Sequence, residues 1–287
     1  MLFRKIGLAI AFSPRAEALL AETVRLKNLW RAELVLIHVG QHGQAEQKVL
    51  EALLGRHNLT SQAVTVCWRS GKPSEQILKA CQEEGVDLLV AGALQQEGLV
   101  QHYVGSIARR ILRKANCSVL TLVQPSVNPK PFDNIVVSAD DHETVHDTLT
   151  IACRLALKEK SKWLHVAREV KLFGLTMSSV DQVTEEEYTQ LRNTLIETEV
   201  DNVQRLLGKI NHEGLKINIR ILAGKSGFEI AQFAKRKQAD LLIVPAPPKR
   251  LRLLDRIFPH DLEYIFADLP CNVLVVSSPT GKERKHG

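Results

Sequence analysis

Two aliphatic stretches decide the fold: Gly85-Val86-Asp87-Leu88-Leu89-Val90-Ala91-Gly92 and Gln238-Ala239-Asp240-Leu241-Leu242-Ile243-Val244-Pro245. Each is an unbroken apolar run of strand length, opened by an aspartate and closed by a glycine or a proline. Such a run is too short for a buried helix and reads as a strand covered on both faces, as in a parallel sheet.

Working outward, the first stretch sits in an alternation of short strands and helices. Strands are read at Lys5–Ala11, Glu33–Val39, Ala63–Arg69, Asp87–Gly92 and Ser118–Val123. Ser13-Pro14 reads as an N-cap and first-turn proline for the first helix. Later helices are read at 44–57, 73–84 and Val104–Ala115. The second stretch sits in a repeat of the same order. Asn134–Ala139 answers Lys5–Ile10, and Leu164-His165-Val166 answers Ile37-His38-Val39. Ala223-Gly224-Lys225-Ser226 answers Ser70-Gly71-Lys72-Pro73, and Cys271-Asn272-Val273-Leu274 answers Cys117-Ser118-Val119-Leu120. The spacing between matches grows along the chain, which places an insertion at about 167–184, a loop followed by a lengthened helix. The expected layout is one unit at 1–124, a proline-rich linker at 125–133, a second unit at 134–279 and a polar tail at 280–287.

Composition sets the outer limits. The 287 residues are 45% hydrophobic and 24% charged, which excludes a disordered or collagen-like chain. No apolar run approaches the roughly 20 residues of a membrane helix, and no signal-peptide core is visible, so no membrane association is expected. The five cysteines are scattered without a CxxC pair, the usage of a reducing cytoplasm, where this reading places the protein. The net charge of +6 belongs to the first half: residues 1–130 carry 16 basic and 10 acidic side chains, and the remainder is balanced. That excess points to an anionic ligand in the first unit.

The Lys5, Ile6, Phe12, Ser13 start, the "LIHV" second strand, the Gly71 turn and the "CSVL" end together resemble the universal stress protein family in its tandem form. The resemblance implies two doubly wound five-stranded sheets, order 3-2-1-4-5, with a crevice at the strand carboxyl ends and fifth strands pairing between the units. It also implies a non-enzymatic stress-response protein that binds ATP or a related adenine nucleotide, with magnesium only as the nucleotide's companion. A homodimer or a regulatory protein partner is a further expectation.

Nucleotide-binding members carry Gly-x2-Gly-x9-Gly-Ser after the fourth strand and an aspartate ending the first. Here the first unit keeps Gly92, Gly105 and Ser106, with Gln95 for the middle glycine and Ala11 for the aspartate. Glycines let backbone approach phosphate, and a helix N-terminus donates to it. Val39 is expected beside the base, and Ser13 completes the candidate set. The second unit keeps Asp140 but has Pro245, Pro248 and Phe258-Pro259 at the glycine positions, so phosphate binding there is not expected. Two other readings are nucleotide-free interaction through a groove or the insert, and weak ATP hydrolysis, for which no base can be named.

Other patterns carry blander readings. Arg109, Arg110, Arg113 and Lys114 read as the solvated side of an amphipathic helix or as an anion rim. Lys249-Arg250-Leu251-Arg252 with Arg256 has no aromatic interleaving, so nucleic acid is not an expected partner. His142 and His146 have metal-ligand spacing but no third ligand, and Asp140 or Asp141 reads better as a helix cap. His38 and His165 read as one shared structural slot, and Cys117 and Cys271 as packing residues. The Gly71-Lys72 and Gly224-Lys225 turns lack the upstream glycine of a phosphate loop.

Overall fold

A computed structural model describes the chain except for residues 1, 61, 96–101, 171–183, 248–259 and 278–287. The basic run at 249–256, Phe258-Pro259, most of the insert and the tail lie outside the described residues. The first half runs β1 (Lys5–Ala9), α1 (Ala16–Trp30), β2 (Glu33–Val39), α2 (Gln44–Arg56), β3 (Thr65–Arg69), α3 (Pro73–Glu84) and β4 (Leu88–Gly92). A short hairpin, β5 (Leu94–Gln95) with β6 (His102–Tyr103), then precedes α4 (Ser106–Lys114) and β7 (Ser118–Leu122). The second half runs β8 (Asn134–Ser138), α5 (Val145–Glu159), β9 (Trp163–Val170), α6 (Glu185–Leu207), β10 (Ile217–Ala223), α7 (Phe228–Arg236), β11 (Leu241–Pro245), α8 (His260–Ala267) and β12 (Asn272–Val276).

All the long strands join one ten-stranded sheet, in the order β10-β9-β8-β11-β12-β7-β4-β1-β2-β3. Each half has the expected 3-2-1-4-5 order with parallel pairing, and the halves meet where β12 pairs antiparallel with β7, Leu274 opposite Leu120. Two fifth strands that would be exposed edges thus satisfy each other's backbone groups. Because the junction is antiparallel, the carboxyl-terminal edges of the two halves face opposite ways.

The apolar cores follow the two faces of the sheet and ignore the boundary between halves. Even-numbered positions of β2, such as Leu34 and Leu36, join α1, α2, α5 and α6 in one cluster, through Leu20, Leu54, Leu149 and Val203. Val35 and Ile37 join α3, α4, α7 and α8 in the other, through Ile77, Ile111, Ile230 and Phe266. At about 1.5–3 kcal/mol per fully buried aliphatic or aromatic side chain, these two layers hold the sandwich together.

Duplication is visible in the helix ends. Both α1 and α5 span 15 residues and stop at a basic residue in the left-handed region, Arg31 at φ 53° and Lys160 at φ 56°. Ala167–Val170, expected as loop, are strand: β9 runs to Val170, and the insertion begins only after it. Downstream, α6 starts in a capping box: Thr184 Oγ1 accepts from Glu187 N, and Glu187 Oε2 accepts from Thr184 N at 2.9 Å.

Candidate functional site

Doubly wound sheets place ligands outside the strand carboxyl ends, where the strand order reverses, here between β1 and β4 in one half and β8 and β11 in the other. In the first half this edge gathers all five expected residues. Gly92 ends β4, Val39 ends β2 on the α3/α4 face, Gly105 is the N-cap of α4, and Ser106 opens that helix with an exposed side chain. Ser13 lies exposed in the β1–α1 turn, but it is not a cap: its N–H donates to Ala11 O, and α1 begins later with Arg15 at the N-cap position.

Sequence reasoning missed Arg15. Its guanidinium crosses the switch point, donating to Ala93 O beyond β4 at 2.8 Å and to Val123 O beyond β7. That fixes a cation next to Gly92, in a half that has lost the family aspartate at Ala11. The glycines have packing reasons of their own. A Cβ on Gly92 would stand 3.2 Å from Leu19 Cδ1, and one on Gly105 would stand 2.5 Å from Leu94 Cδ1. Between the two, Leu94–Gln95 pairs antiparallel with His102–Tyr103.

The Gly105 turn is held by the second half. Val104 N donates to Phe266 O at 3.0 Å, Leu269 N donates to His102 O at 3.0 Å, and Arg109 links Val104 O to Glu263 on α8. An aromatic group lies on the α1/α2 side of the same edge. Phe12 and His38 have ring centroids 4.6 Å apart, and His42 stacks on Trp68 at 4.2 Å.

Strand pairing corrects one expected equivalence. Lys5 pairs with Glu33 and its counterpart Asn134 pairs with Trp163, so Val35 corresponds to His165, and Val39 corresponds to Glu169. His38 therefore answers Arg168, not His165. His38 Nδ1 lies 3.1 Å from Ile10 O, while His165 sits deeper, with Asn218 Nδ2 at 3.1 Å from its Nδ1. The two histidines share no slot.

Position 169 transforms the second crevice. The Glu169 carboxylate accepts from Gly227 N at 2.8 Å, Ile230 N at 2.9 Å and Ser226 Oγ at 3.2 Å, so it caps α7 from another strand. Burial pushes its pKa up to about 7, and the nearby Asp140 charge adds to the rise, against the lowering effect of those donors. Asp140 accepts from Ser138 Oγ at 2.7 Å and from Glu169 N at 2.6 Å. A cavity of about 130 Å³ remains among these groups, Val244, Pro245, Leu262 and Ile265. A wider groove of about 470 Å³ lies far from either crevice, at the amino ends of β8–β10 around Trp163 and Lys237, and gathers no convergent set of reactive groups.

Among the described residues no cluster of three or more His, Cys, Asp or Glu side chains is placed to hold a metal. His142 Nδ1 lies 2.8 Å from Thr144 Oγ1, and His146 Nδ1 lies 3.9 Å from Asp147. Among those residues no helix is long and apolar enough to cross a membrane.

A twofold-repeated doubly wound sheet with a crevice at each switch point defines a pair of flavodoxin-like α/β units. The chain belongs to the universal stress protein family: the family model matches residues 40–122 and again 131–277. Over 155 residues, 42% of this chain and 96% of the relative, it is 24% identical to the universal stress protein MJ0577 of Methanocaldococcus jannaschii. It is 23% identical to YxiE of Bacillus subtilis over 145 residues, 42% of this chain and 98% of that one. Two solved structures share the whole fold. A universal stress protein of Archaeoglobus fulgidus has TM-score 0.62 at 13% identity, covering 95% of this chain and 98% of its own. The protein PA1789 of Pseudomonas aeruginosa, of unknown function, has TM-score 0.64 at 17% identity, covering 96% and 92%.

Proposed function

We propose that the chain is a non-enzymatic stress-response protein whose first unit, residues 1–124, binds an adenine nucleotide through its phosphates. The second unit, 134–279, is joined to it by the linker 125–133. The observation that carries this reading is Arg15, a cation fixed between the Ala93 and Val123 carbonyls, next to Gly92 at the end of β4. The residues present fit the phosphate end of such a ligand. Arg15 supplies charge, and the α4 N-terminus with Ser106 supplies N–H and hydroxyl donors. They fit the sugar end less well, since Ala11 stands where an aspartate would hold it. Magnesium would enter only with the nucleotide, since among the described residues no carboxylate of the first unit is bonded to the Gly105 turn. Among the described residues none is placed to activate water, and the chemistry we propose is binding and release.

Calorimetry with ATP and magnesium tests the reading. Saturable binding is expected in the unaltered chain and is lost in Gly105→Arg and weakened in Arg15→Ala. Absence of binding at millimolar ATP overturns it. A second reading, nucleotide-free action through a protein partner or a second copy of the chain, is favoured by Ala11 and by the pairing of Leu94–Gln95 with His102–Tyr103 within the motif's span. Mass spectrometry of molecules carried through purification separates the two.

A further inference from the structure

The duplication supplies an internal comparison at the amino-terminal corner of each half-sheet. Lys5, Glu33 and Val35 in the first half answer Asn134, Trp163 and His165 in the second. Val35 pairs with Thr65 and His165 with Asn218, so those two correspond as well. Asp87 accepts from Lys5 N at 3.0 Å and Asp240 from Asn134 N at 2.8 Å, and three residues before them stand Glu84 and Lys237. An ion pair spans the first corner, with Lys5 Nζ 3.3 Å from Glu33. The second corner has an indole in place of that glutamate and an ammonium in place of Glu84. It opens into the groove of about 470 Å³, within the usual size range of ligand pockets.

Trp163 is 42% exposed, and its ring lies nearly parallel to that of the buried His165, with planes 15° and centroids 6.0 Å apart. Phe233 of α7 meets His165 edge-on, and Lys237 Nζ lies 5.9 Å from the Phe233 centroid, which holds the ammonium near the imidazole. Asn218 Nδ2 donates to His165 Nδ1 at 3.1 Å, leaving Nε2 to carry the proton of a neutral ring. Burial, and then the Lys237 charge, hold the His165 pKa below its ordinary value, which keeps that ring uncharged. Of the polar groups lining the groove, the Trp163 and His165 N–H groups and the Lys237 ammonium only donate, while the Asn134 and Asn218 amides do both. The acids next to it have donors of their own: Asp240 holds Asn134 N, and Asp133 accepts from Lys162 Nζ at 2.7 Å. We propose that this groove binds a planar aromatic carboxylate of one or two rings, its ring lying on the exposed indole of Trp163 and its carboxylate on Lys237. Offset stacking suits two flat rings, and an ammonium–carboxylate hydrogen bond is of the stronger, charge-assisted kind. The groups present are aromatic and hydrogen-bonding rather than reactive, so the chemistry is recognition alone.

The test is a resonance titration of the full chain with four probes of similar size: phenylacetate, 2-phenylethanol, 2-phenylethylammonium and cyclohexylacetate. Phenylacetate should shift the Trp163 indole N–H and the Asn218 side-chain amide saturably. The alcohol, without the charge, should bind about tenfold more weakly or worse, and the ammonium should not bind. Cyclohexylacetate keeps the charge but cannot stack, and should bind about two- to tenfold more weakly. Lys237→Glu and Trp163→Glu restore the first half's residues, and each should abolish the preference for phenylacetate. No saturable shift with phenylacetate, or equal or tighter binding of any of the other three probes, overturns the proposal. These outcomes are read in the unaltered protein, whether or not the variants fold. Nucleotide binding in the first half enters none of them, so the two readings fail separately.

Discussion

Arg25 of α1 binds Glu159 of α5 across the boundary between the halves, its Nη1 lying 2.6 and 2.8 Å from the two carboxylate oxygens. Glu22 stands behind at 3.6 Å, and the guanidinium lies 4.8 Å from the Phe132 ring centroid. Only 2% of the Glu159 side chain is exposed, and burial raises the pKa of both glutamates against the pull of Arg25. Two acids around one cation are tolerable while the cation is present. Arg25→Met should cost about 3–5 kcal/mol in urea denaturation, because it strands two buried carboxylates. Replacing Arg25, Glu22 and Glu159 together by apolar residues should recover most of that loss. If Arg25→Met alone is neutral, the triad does not couple the halves.

The β12–β7 seam makes a second prediction. Leu120 and Leu274 face each other there, each 2% exposed. Leu274→Ala should cost about 2–5 kcal/mol, the usual range for a buried leucine. It should also separate the unfolding of the two halves, turning one denaturation step into two. A single sharp transition in the variant would show that the shared face layers, rather than the seam, keep the halves cooperative.

Glu169 predicts a pH slope. Its pKa rises from 4.5 to about 7 on folding, so the folded form holds its proton more tightly. The associated stability is full below pH 4.5, falls as pH rises through 7, and is constant above. At about 1.4 kcal/mol per unit, the change is at most about 3 kcal/mol. Glu169→Gln removes this titration, so its stability relative to the unaltered chain should improve steadily across that window. Parallel stability–pH curves would rule the assignment out.

Glu263 predicts coupling between the halves. It holds Arg109, which also bonds Val104 O just before the Gly105 turn. Glu263→Ala should weaken ATP binding in the first half several-fold while leaving the midpoint of thermal unfolding nearly unchanged, as expected for a partly exposed ion pair. Unaltered affinity would assign the contact to packing alone.

The repeat was legible because buried parallel strands leave unbroken aliphatic runs such as Leu88–Gly92 and Leu241–Pro245, whereas the strand order and the edge pairing followed from the family resemblance. The register of β9 was not legible. Leu164-His165-Val166 copies the look of Ile37-His38-Val39, and matching the two ends the strand four residues early, leaving Arg168 and Glu169 in a loop. Only pairing with β8 fixes which residue stands beside which. Attention to the aliphatic-to-charged change at Ala167-Arg168 would have hinted that the strand runs on to its carboxyl end. Arg15 was hidden for another reason: its partners are the backbone oxygens of Ala93 and Val123, and carbonyls leave no mark in a sequence.

An antiparallel seam between two parallel half-sheets makes the molecule two-ended. Anything seated at one mouth is screened from the other by the width of the sheet, so occupants of different chemistry never compete for space. Each copy was therefore free to change its lining residue by residue without a steric veto from its twin. Any coupling between the ends must travel through shared framework such as the α8 contacts to the Gly105 turn.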